Sequence, residues 1–162
     1  MDRFGDFFFF NDFGYEYILI EEAKTASPYK QHKVYNVYLY RRNVIFGEGE
    51  IVSSLTIVDN SDTTNRFFAI YYPVLLPYKK RLYICNFFTF EKYMGMGYGR
   101  KLLKATVDFF NKKADILYLQ VGSTIIETHR LVNFYSSLGF KEVAPNQTLC
   151  EDNPLMMLKS EK

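Results

Sequence analysis

The chain has 162 residues, a length that suits one domain built around one hydrophobic core. Apolar residues make up 48% of it and charged residues 23%, which is the balance of a folded globular protein rather than a disordered one. The formal net charge of +2 is too small to predict binding to nucleic acid or to a membrane through bulk electrostatics. We therefore expect a single domain over residues 1–162 with neither kind of partner.

The number of cysteines and the N-terminal sequence help to predict the cellular compartment of the protein. Cys85 and Cys150 are too few for a disulfide framework, which fits a reducing compartment. The apolar run from Phe7 to Phe10 is shorter than the apolar stretch of a secretory signal, about 7–15 residues, or of a membrane helix, about 20. We expect a soluble, cytoplasmic protein in which these phenylalanines belong to a core, a substrate cleft or a dimer contact.

The first half of the chain is predicted to consist of strands. Aromatic and β-branched residues dominate four segments, namely 15–22, 33–41, 50–58 and 66–72. Residues 59–62 form a turn cluster between the last two. Residues 23–31 favour a short helix, which Pro28 weakens.

The second half alternates strands and helices. A dense apolar strand over 81–90 leads through a glycine-rich turn at 95–99 into a helix over 100–112, whose apolar pairs recur at helical spacing. A strand over 116–121, a helix over 124–138 ended by Gly139, and strands over 141–144 and 155–159 follow. This order predicts an α/β fold in which strand, helix and strand form a right-handed parallel unit.

Three glycines, Gly95, Gly97 and Gly99, alternate directly before the predicted helix. Glycine allows a tight turn and lets a ligand approach the main chain. The first N–H groups of a helix lack intrahelical partners, and together with the helix dipole they form an anion site. With Arg100 and Lys101 adjacent, the turn suits a pyrophosphate.

Spacing excludes two other kinds of phosphate loop. A P-loop needs Lys and then Ser or Thr after its last glycine, whereas Arg100-Lys101-Leu102 stands here. A Gly-x-Gly-x-x-Gly dinucleotide fingerprint would need a glycine at position 100 or 102. A turn that serves only chain reversal stays open on these residues.

Two segments together resemble the signature segments of the GCN5-related N-acetyltransferases, the GNAT superfamily. In Tyr93-Met94-Gly95-Met96-Gly97-Tyr98-Gly99-Arg100, the last glycines match the acetyl-CoA loop Gln/Arg-x-x-Gly-x-Gly/Ala, although Met94 replaces its first residue. Asn133-Phe134-Tyr135-Ser136-Ser137-Leu138-Gly139-Phe140 matches the Phe-Tyr-x-x-Leu-Gly-Phe ending of the last helix. The resemblance covers about residue 81 onwards and implies a GNAT-like acyl-CoA N-acyltransferase fold, with a mixed twisted sheet and helices on both faces.

The resemblance implies that acetyl-CoA is the acyl donor and that no metal takes part. The backbone of Phe87, Phe88 and Thr89 would pair with the pantetheine arm, where the strand bends from its neighbour. Thr128 stands where many members place an Asn that contacts the donor. The implied loop residues are Met94, Gly95, Met96, Gly97, Tyr98, Gly99, Arg100 and Lys101.

The resemblance further implies direct transfer, in which a deprotonated amine attacks the thioester carbonyl while a backbone N–H polarises it. Tyr135 stands at the position of the general acid, and a phenol with an ordinary pKa near 10 is protonated at neutral pH. Cys85 stands where many members carry a glutamate as base. Water, or a carboxylate such as Glu22 or Glu91, is an alternative proton acceptor, and a weakly active or inactive protein is another.

The acceptor implied by the resemblance is an amine on a small molecule or a protein, and a homodimer is compatible with it. Two alternatives stay open: a non-catalytic acyl-CoA-binding domain, and a protein-interaction module on the same fold with the Phe-rich start as its contact surface. Tyr135 and Cys85 also fit plain core positions. The two histidines, His32 and His129, are not spaced as zinc ligands.

Overall fold

A computed structural model describes the chain over residues 3–11, 14–23, 32–43, 47, 49–63, 65–122, 125–143 and 153–161. The strands in these ranges are β1 (Arg3–Asn11), β2 (Gly14–Ala23), β3 (Val34–Asn43), β4 (Gly49–Asp59), β5 (Arg81–Thr89), β6 (Ile116–Gln120), β7 (Lys141–Glu142) and β8 (Leu155–Lys159). The α-helices are α1 (Arg66–Tyr71), α2 (Tyr98–Phe110) and α3 (Ile125–Ser136). Short 3₁₀ turns cover Pro73–Leu75 and Glu91–Tyr93.

The strands are hydrogen-bonded in the order β1-β2-β3-β4-β5-β6-β8-β7. Strands β5 and β6 are parallel, with Arg81 opposite Ile116 and Tyr83 opposite Tyr118, which confirms the predicted parallel pairing. The pairs β1–β2, β2–β3, β3–β4, β6–β8 and β7–β8 are antiparallel. The sheet is therefore mixed, as predicted.

The segment 66–72 was predicted to be a strand, and that prediction is wrong. Asn65 caps a helix there, because its Oδ1 accepts a hydrogen bond from the backbone N of Phe68 at 2.9 Å. Phe68 is buried at 5% exposure, in a core cluster that includes Leu75 and Tyr118. Aromatic residues favour strands mainly by packing on a half-buried sheet surface, and helix α1 supplies that burial in another way.

The N-terminal segment is a strand that the sequence analysis did not identify. The run Phe7–Phe10 lies in β1, and its backbone pairs with β2 so that Phe8 is opposite Tyr17. The short helix favoured at 23–31 lies outside the described residues except at Ala23, which ends β2.

The described residues form two compact units, and the single domain stays a prediction. The first unit comprises the described residues within Met1–Val58 and Cys85–Phe109. On β2, Glu16, Ile18 and Ile20 point to one face and are all buried, as alternation in a strand requires. On the other face, Tyr17 stacks on Tyr40 of β3 with ring centroids 5.0 Å apart.

The second unit comprises the described residues within Asp59–Ile84 and Phe110–Lys162. Its core cluster joins Phe68, Leu75, Ile116, Tyr118, Val143 and Leu155. Arg81 begins β5 there with only 3% exposure. Its guanidinium donates to the carbonyl oxygens of Tyr78, Asn60, Ser61 and Thr63 at 2.7–3.0 Å and lies 5.1 Å from the Phe68 ring centroid. This side chain thus holds the turn after β4 and also binds the segment that precedes β5.

Replacing Arg81 by Met should lower the free energy of unfolding by about 2–4 kcal/mol, because buried carbonyl groups lose charge-assisted donors. Urea denaturation followed by circular dichroism measures this change. The control is Lys112→Met, which removes a cation from an exposed position. Equal stability of the two variants would contradict the role assigned to Arg81.

Candidate active site

Strand β5 changes conformation after Ile84. The register of β5 with β6 runs from Arg81 to Tyr83, and three residues later Asn86 has a φ of 51°. Asparagine is one of the few non-glycine residues that enter this left-handed region readily. A left-handed residue inside a strand interrupts the regular pleat and redirects the side chains that follow it.

The segment after Asn86 is held by hydrogen bonds to β4. The Ser53 hydroxyl donates to the Phe88 carbonyl oxygen at 2.7 Å and lies 3.0 Å from the Thr89 hydroxyl. The backbone N of Phe90 donates to the Val52 carbonyl oxygen at 3.0 Å. These bonds fix the backbone around residues 87–89, which is predicted to pair with the pantetheine arm.

The predicted glycine turn lies between this strand and α2. Gly95 and Gly97 have φ values of 76° and 84°, which favour glycine strongly. A Cβ at either position would have no atom within 4 Å, so it would point into open space. The first turn of α2 closes when the backbone N of Lys101 donates to the Gly97 carbonyl oxygen at 3.0 Å. The turn therefore presents accessible main chain at a helix N-terminus.

Gly99 has a different role from the two glycines before it. A Cβ there would lie 3.1 Å from the Thr89 hydroxyl oxygen and 3.3 Å from the Phe87 ring. The absence of a side chain lets the first turn of α2 approach β5 closely. Phe87 and Thr89 thus face the helix, whereas Phe88 and Phe90 are 48% and 44% exposed.

Exposed apolar side chains concentrate around this turn. Met94 and Met96 are 61% and 62% exposed, and the rings of Phe88 and Phe90 form an edge-to-face pair with centroids 5.2 Å apart. Among the described residues, the other large apolar side chains exposed to this degree are Ile70 and Leu76. The turn offers backbone N–H groups and apolar surface side by side.

The two predicted cations of the loop differ in their surroundings. Arg100 is exposed. Lys101 is half-buried and forms an ion pair with Glu16 of β2, a residue that is 4% exposed. The first turn of α2 also carries Tyr98, whose ring packs edge-on against Tyr93. Sequence reasoning did not identify Glu16 or Ser53, although a charged residue at an inward position of an apolar strand is a signal for a buried ion pair.

Tyr135 lies on α3 in the second unit and is 9% exposed. The rings of Phe134 and Phe140 lie 5.2 and 6.1 Å from its ring centroid. Burial raises the pKa of Tyr135 to about 12, so the phenol holds its proton at neutral pH. Thr128 is half-buried two helical turns earlier on α3, and His129 is exposed.

Cys85 lies on β5 and is half-buried. Burial raises the pKa of its thiol to about 11, which keeps the thiol protonated at neutral pH. Glu22 is half-buried on β2, and Glu91 is exposed just after β5. A thiol that is protonated at neutral pH is a poor proton acceptor, which weighs against Cys85 as the base.

A sequence profile described as "Acetyltransferase (GNAT) family" matches residues 10–140. This protein belongs to the GNAT family. Its fold is the GNAT acyl-CoA N-acyltransferase fold, and membership makes it an acyltransferase of the GNAT type. No curated protein sequence matches the chain significantly.

Solved structures with the same fold are distant in sequence. NAA60 from Arabidopsis thaliana in complex with acetyl-CoA has a TM-score of 0.57 and 16% identity, over 80% of this chain and 77% of that one. FeeM, an N-acyl amino acid synthase from uncultured soil microbes, has a TM-score of 0.55 and 14% identity, over 80% and 68%. An acyl-CoA N-acyltransferase from Pseudomonas aeruginosa has a TM-score of 0.51 and 14% identity, over 79% and 69%.

Two further observations apply to the described part of this GNAT protein. Within those ranges, no helix has the length and apolar character needed to cross a membrane. The same residues contain no group of three or more His, Cys, Asp or Glu side chains placed to hold a metal ion.

The raised pKa of Cys85 can be tested by alkylation with iodoacetamide in a Cys150→Ser variant. Because only the thiolate reacts, the rate should rise about tenfold per pH unit from pH 7 to 10, whereas glutathione, with an ordinary thiol pKa near 8.5, should level off above about pH 9. A plateau for Cys85 below pH 9 would mean that the thiol is available as a base after all.

Proposed function

We propose that this protein is an N-acetyltransferase that transfers an acetyl group from acetyl-CoA to a primary amine by direct attack. The observation that carries the proposal is the pair of left-handed glycines, Gly95 and Gly97, which open onto free space at the start of α2 in a GNAT family member. A helix N-terminus with accessible main chain favours a bound pyrophosphate. The acetyl-CoA complex of NAA60, which has the same fold, supports this choice of donor.

The groups of the proposed donor site are chemically complementary to the pyrophosphate and the pantetheine arm of acetyl-CoA. The loop N–H groups and exposed Arg100 would hold the pyrophosphate, and Met96 and Phe88 offer apolar surface to the pantetheine arm. The backbone of residues 87–89 would pair with the amides of that arm, and Thr128 would contact the donor. Met94 provides apolar contact where the family motif has a polar anchor, so binding depends mainly on the main chain.

When bound, acetyl-CoA supplies the acetyl group as an activated thioester. A backbone N–H of β5 polarises its carbonyl, and the acceptor nitrogen forms the new bond to the carbonyl carbon as the carbon–sulfur bond breaks. The Tyr135 hydroxyl gives its proton to the departing thiolate, since its raised pKa keeps it protonated. The amine proton leaves through water or through a carboxylate such as Glu22 or Glu91, because the Cys85 thiol is already protonated.

The acceptor is an amine on a small molecule or on a protein, and a homodimer is compatible with this activity.

One alternative function, an acyl-CoA-binding domain without turnover, has specific support. Met94 in place of a polar anchor and Cys85 in place of a basic glutamate both suit an acyl-CoA-binding domain without turnover. Release of CoA thiol in the presence of amines separates the enzyme from such a domain.

Calorimetric titration with acetyl-CoA, with free CoA and ATP as comparisons, tests the donor. We expect binding of acetyl-CoA in the micromolar range, and at least about tenfold weaker binding by Gly97→Ala, because its Cβ would occupy the space open to the donor. The matched control is Gly47→Ala, since Gly47 is an exposed glycine with a φ of 67° and no crowding. Absence of binding at millimolar acetyl-CoA, or equal affinities of the two variants, would contradict the proposal.

Replacing Tyr135 by Phe should lower kcat about 100-fold while leaving the affinity for acetyl-CoA unchanged, because only the donated proton is lost. Since the pKa of Tyr135 is raised to about 12, its deprotonation should cause no loss of activity between pH 6 and 9. Thiol release at saturating acetyl-CoA measures both effects. A fully active variant would assign Tyr135 to the core alone.

A further inference from the structure

The carboxylate of Glu16 is buried on the face of β2 that also carries Ile18 and Ile20. It is 4% exposed, and a carboxylate so far removed from water is costly unless cations or donors compensate it. The two isoleucines beside it on the same face are fully buried. Glu16 therefore occupies a core position at which an apolar residue would be the simpler choice.

Three polar side chains from two other elements surround this carboxylate. Lys101, in the first turn of α2, forms the ion pair with it. Arg41 lies directly opposite Glu16 in the β2–β3 register. Tyr98, the first residue of α2, has a raised pKa because of its burial and because of the charge of Glu16 and a hydrogen bond to it, while Arg41 acts in the opposite direction.

Lys101 connects this buried charge to the glycine turn. Its side chain reaches Glu16 on β2, while its backbone N donates to the Gly97 carbonyl oxygen and closes the first turn of the helix. The same residue thus fixes the helix start to the sheet and ends the loop. The ion pair therefore anchors the first turn of α2 to β2 at the residue whose backbone N bonds to Gly97.

We propose that Glu16 is a positioning residue of the donor site, which holds the first turn of α2 through Lys101 and Tyr98. The proposal rests on the proposed function, because the group that it orients is the loop assigned to the pyrophosphate. In this role Lys101 links Glu16 to the first turn of α2 and is not a direct phosphate ligand, since its ammonium group is bound to Glu16. Phosphate binding is left to the loop main chain and to Arg100.

The two possible roles of Lys101, phosphate ligand or partner of Glu16, predict opposite changes in donor affinity when the Glu16 charge is removed. If Lys101 bound phosphate, Glu16 would compete with the donor for the ammonium group, and removal of the carboxylate charge would strengthen donor binding. If Glu16 positions the turn, the same change weakens donor binding. The sign of the change in affinity therefore decides between the two roles.

Glu16→Gln retains the size of the side chain and removes its charge. We expect the Kd for acetyl-CoA to rise about tenfold, with kcat at saturating acetyl-CoA changed by less than about twofold, because the loop is displaced while the reacting groups stay intact. The matched control is Asp108→Asn, which removes the carboxylate of an exposed ion pair with Lys104 on the same helix. It should leave the Kd unchanged. An unchanged or lower Kd in Glu16→Gln overturns the proposal.

The double variant Glu16→Gln/Lys101→Gln removes both charges together and tests whether they act as one unit. We expect its Kd to equal that of Glu16→Gln within about twofold, and a further large loss would identify Lys101 as a phosphate ligand and overturn the proposal. If Glu16→Gln does not fold, the double variant is compared with the parent protein, and a Kd that is not raised overturns the proposal.

Amide hydrogen exchange in the free protein separates this inference from the proposed function. The amide of Lys101, which donates to the Gly97 carbonyl oxygen, should exchange faster in Glu16→Gln than in the parent protein and in Asp108→Asn. If the parent protein binds no acetyl-CoA, the proposed function fails, and exchange alone then decides the inference. Unchanged exchange of the Lys101 amide overturns it.

Discussion

The close approach of helix α2 to strand β5 depends on the absence of a side chain at residue 99, where a Cβ would be tightly placed. Any Cβ at Gly99 would come within 3.1 Å of Thr89 and 3.3 Å of Phe87, a distance at which one of the partners must move. This close approach sets the path of the loop that precedes the helix, and Gly95 and Gly97 supply the left-handed conformations which that path requires. The main-chain groups of the candidate donor site follow from this contact.

Two cations near the loop are paired with carboxylates, which leaves the proposed anion site mainly to the main chain. Lys101 is bound to buried Glu16, and Lys92 pairs with Glu50, so these two cations already have carboxylate partners. A site that depends on N–H groups tolerates Met94 where the family motif has Gln or Arg. The same arrangement makes donor binding depend on how accurately the first helical turn is held, which is the role proposed for Glu16.

Burial has opposite chemical consequences for the two residues assigned to catalysis. Loss of water raises the pKa of Tyr135 to about 12 and that of Cys85 to about 11, because each group is neutral when protonated. A phenol that keeps its proton at neutral pH is available as a donor, and its raised pKa makes it a weaker acid than an exposed phenol. A thiol that keeps its proton is poorly suited to accept one from an amine. In the proposed reaction, the amine proton would then leave through water or a carboxylate.

The sequence by itself determined the features that depend on local chain properties. Alternating strands and the glycines that need positive φ are encoded by neighbouring residues, and the segment Phe134 to Phe140 carried the family resemblance. The order strand, helix, strand was enough to predict the parallel pairing of β5 with β6. Tertiary structure decided the rest. The pairing of Glu16 with Lys101 joins residues 85 positions apart, and the pKa of Cys85 depends on what surrounds it. Helix α1 formed in place of a strand because its cap and the burial of Phe68 outweighed a composition that favours strands. Charge partners, desolvation and packing are properties of contacts between distant segments, and local periodicity does not contain them.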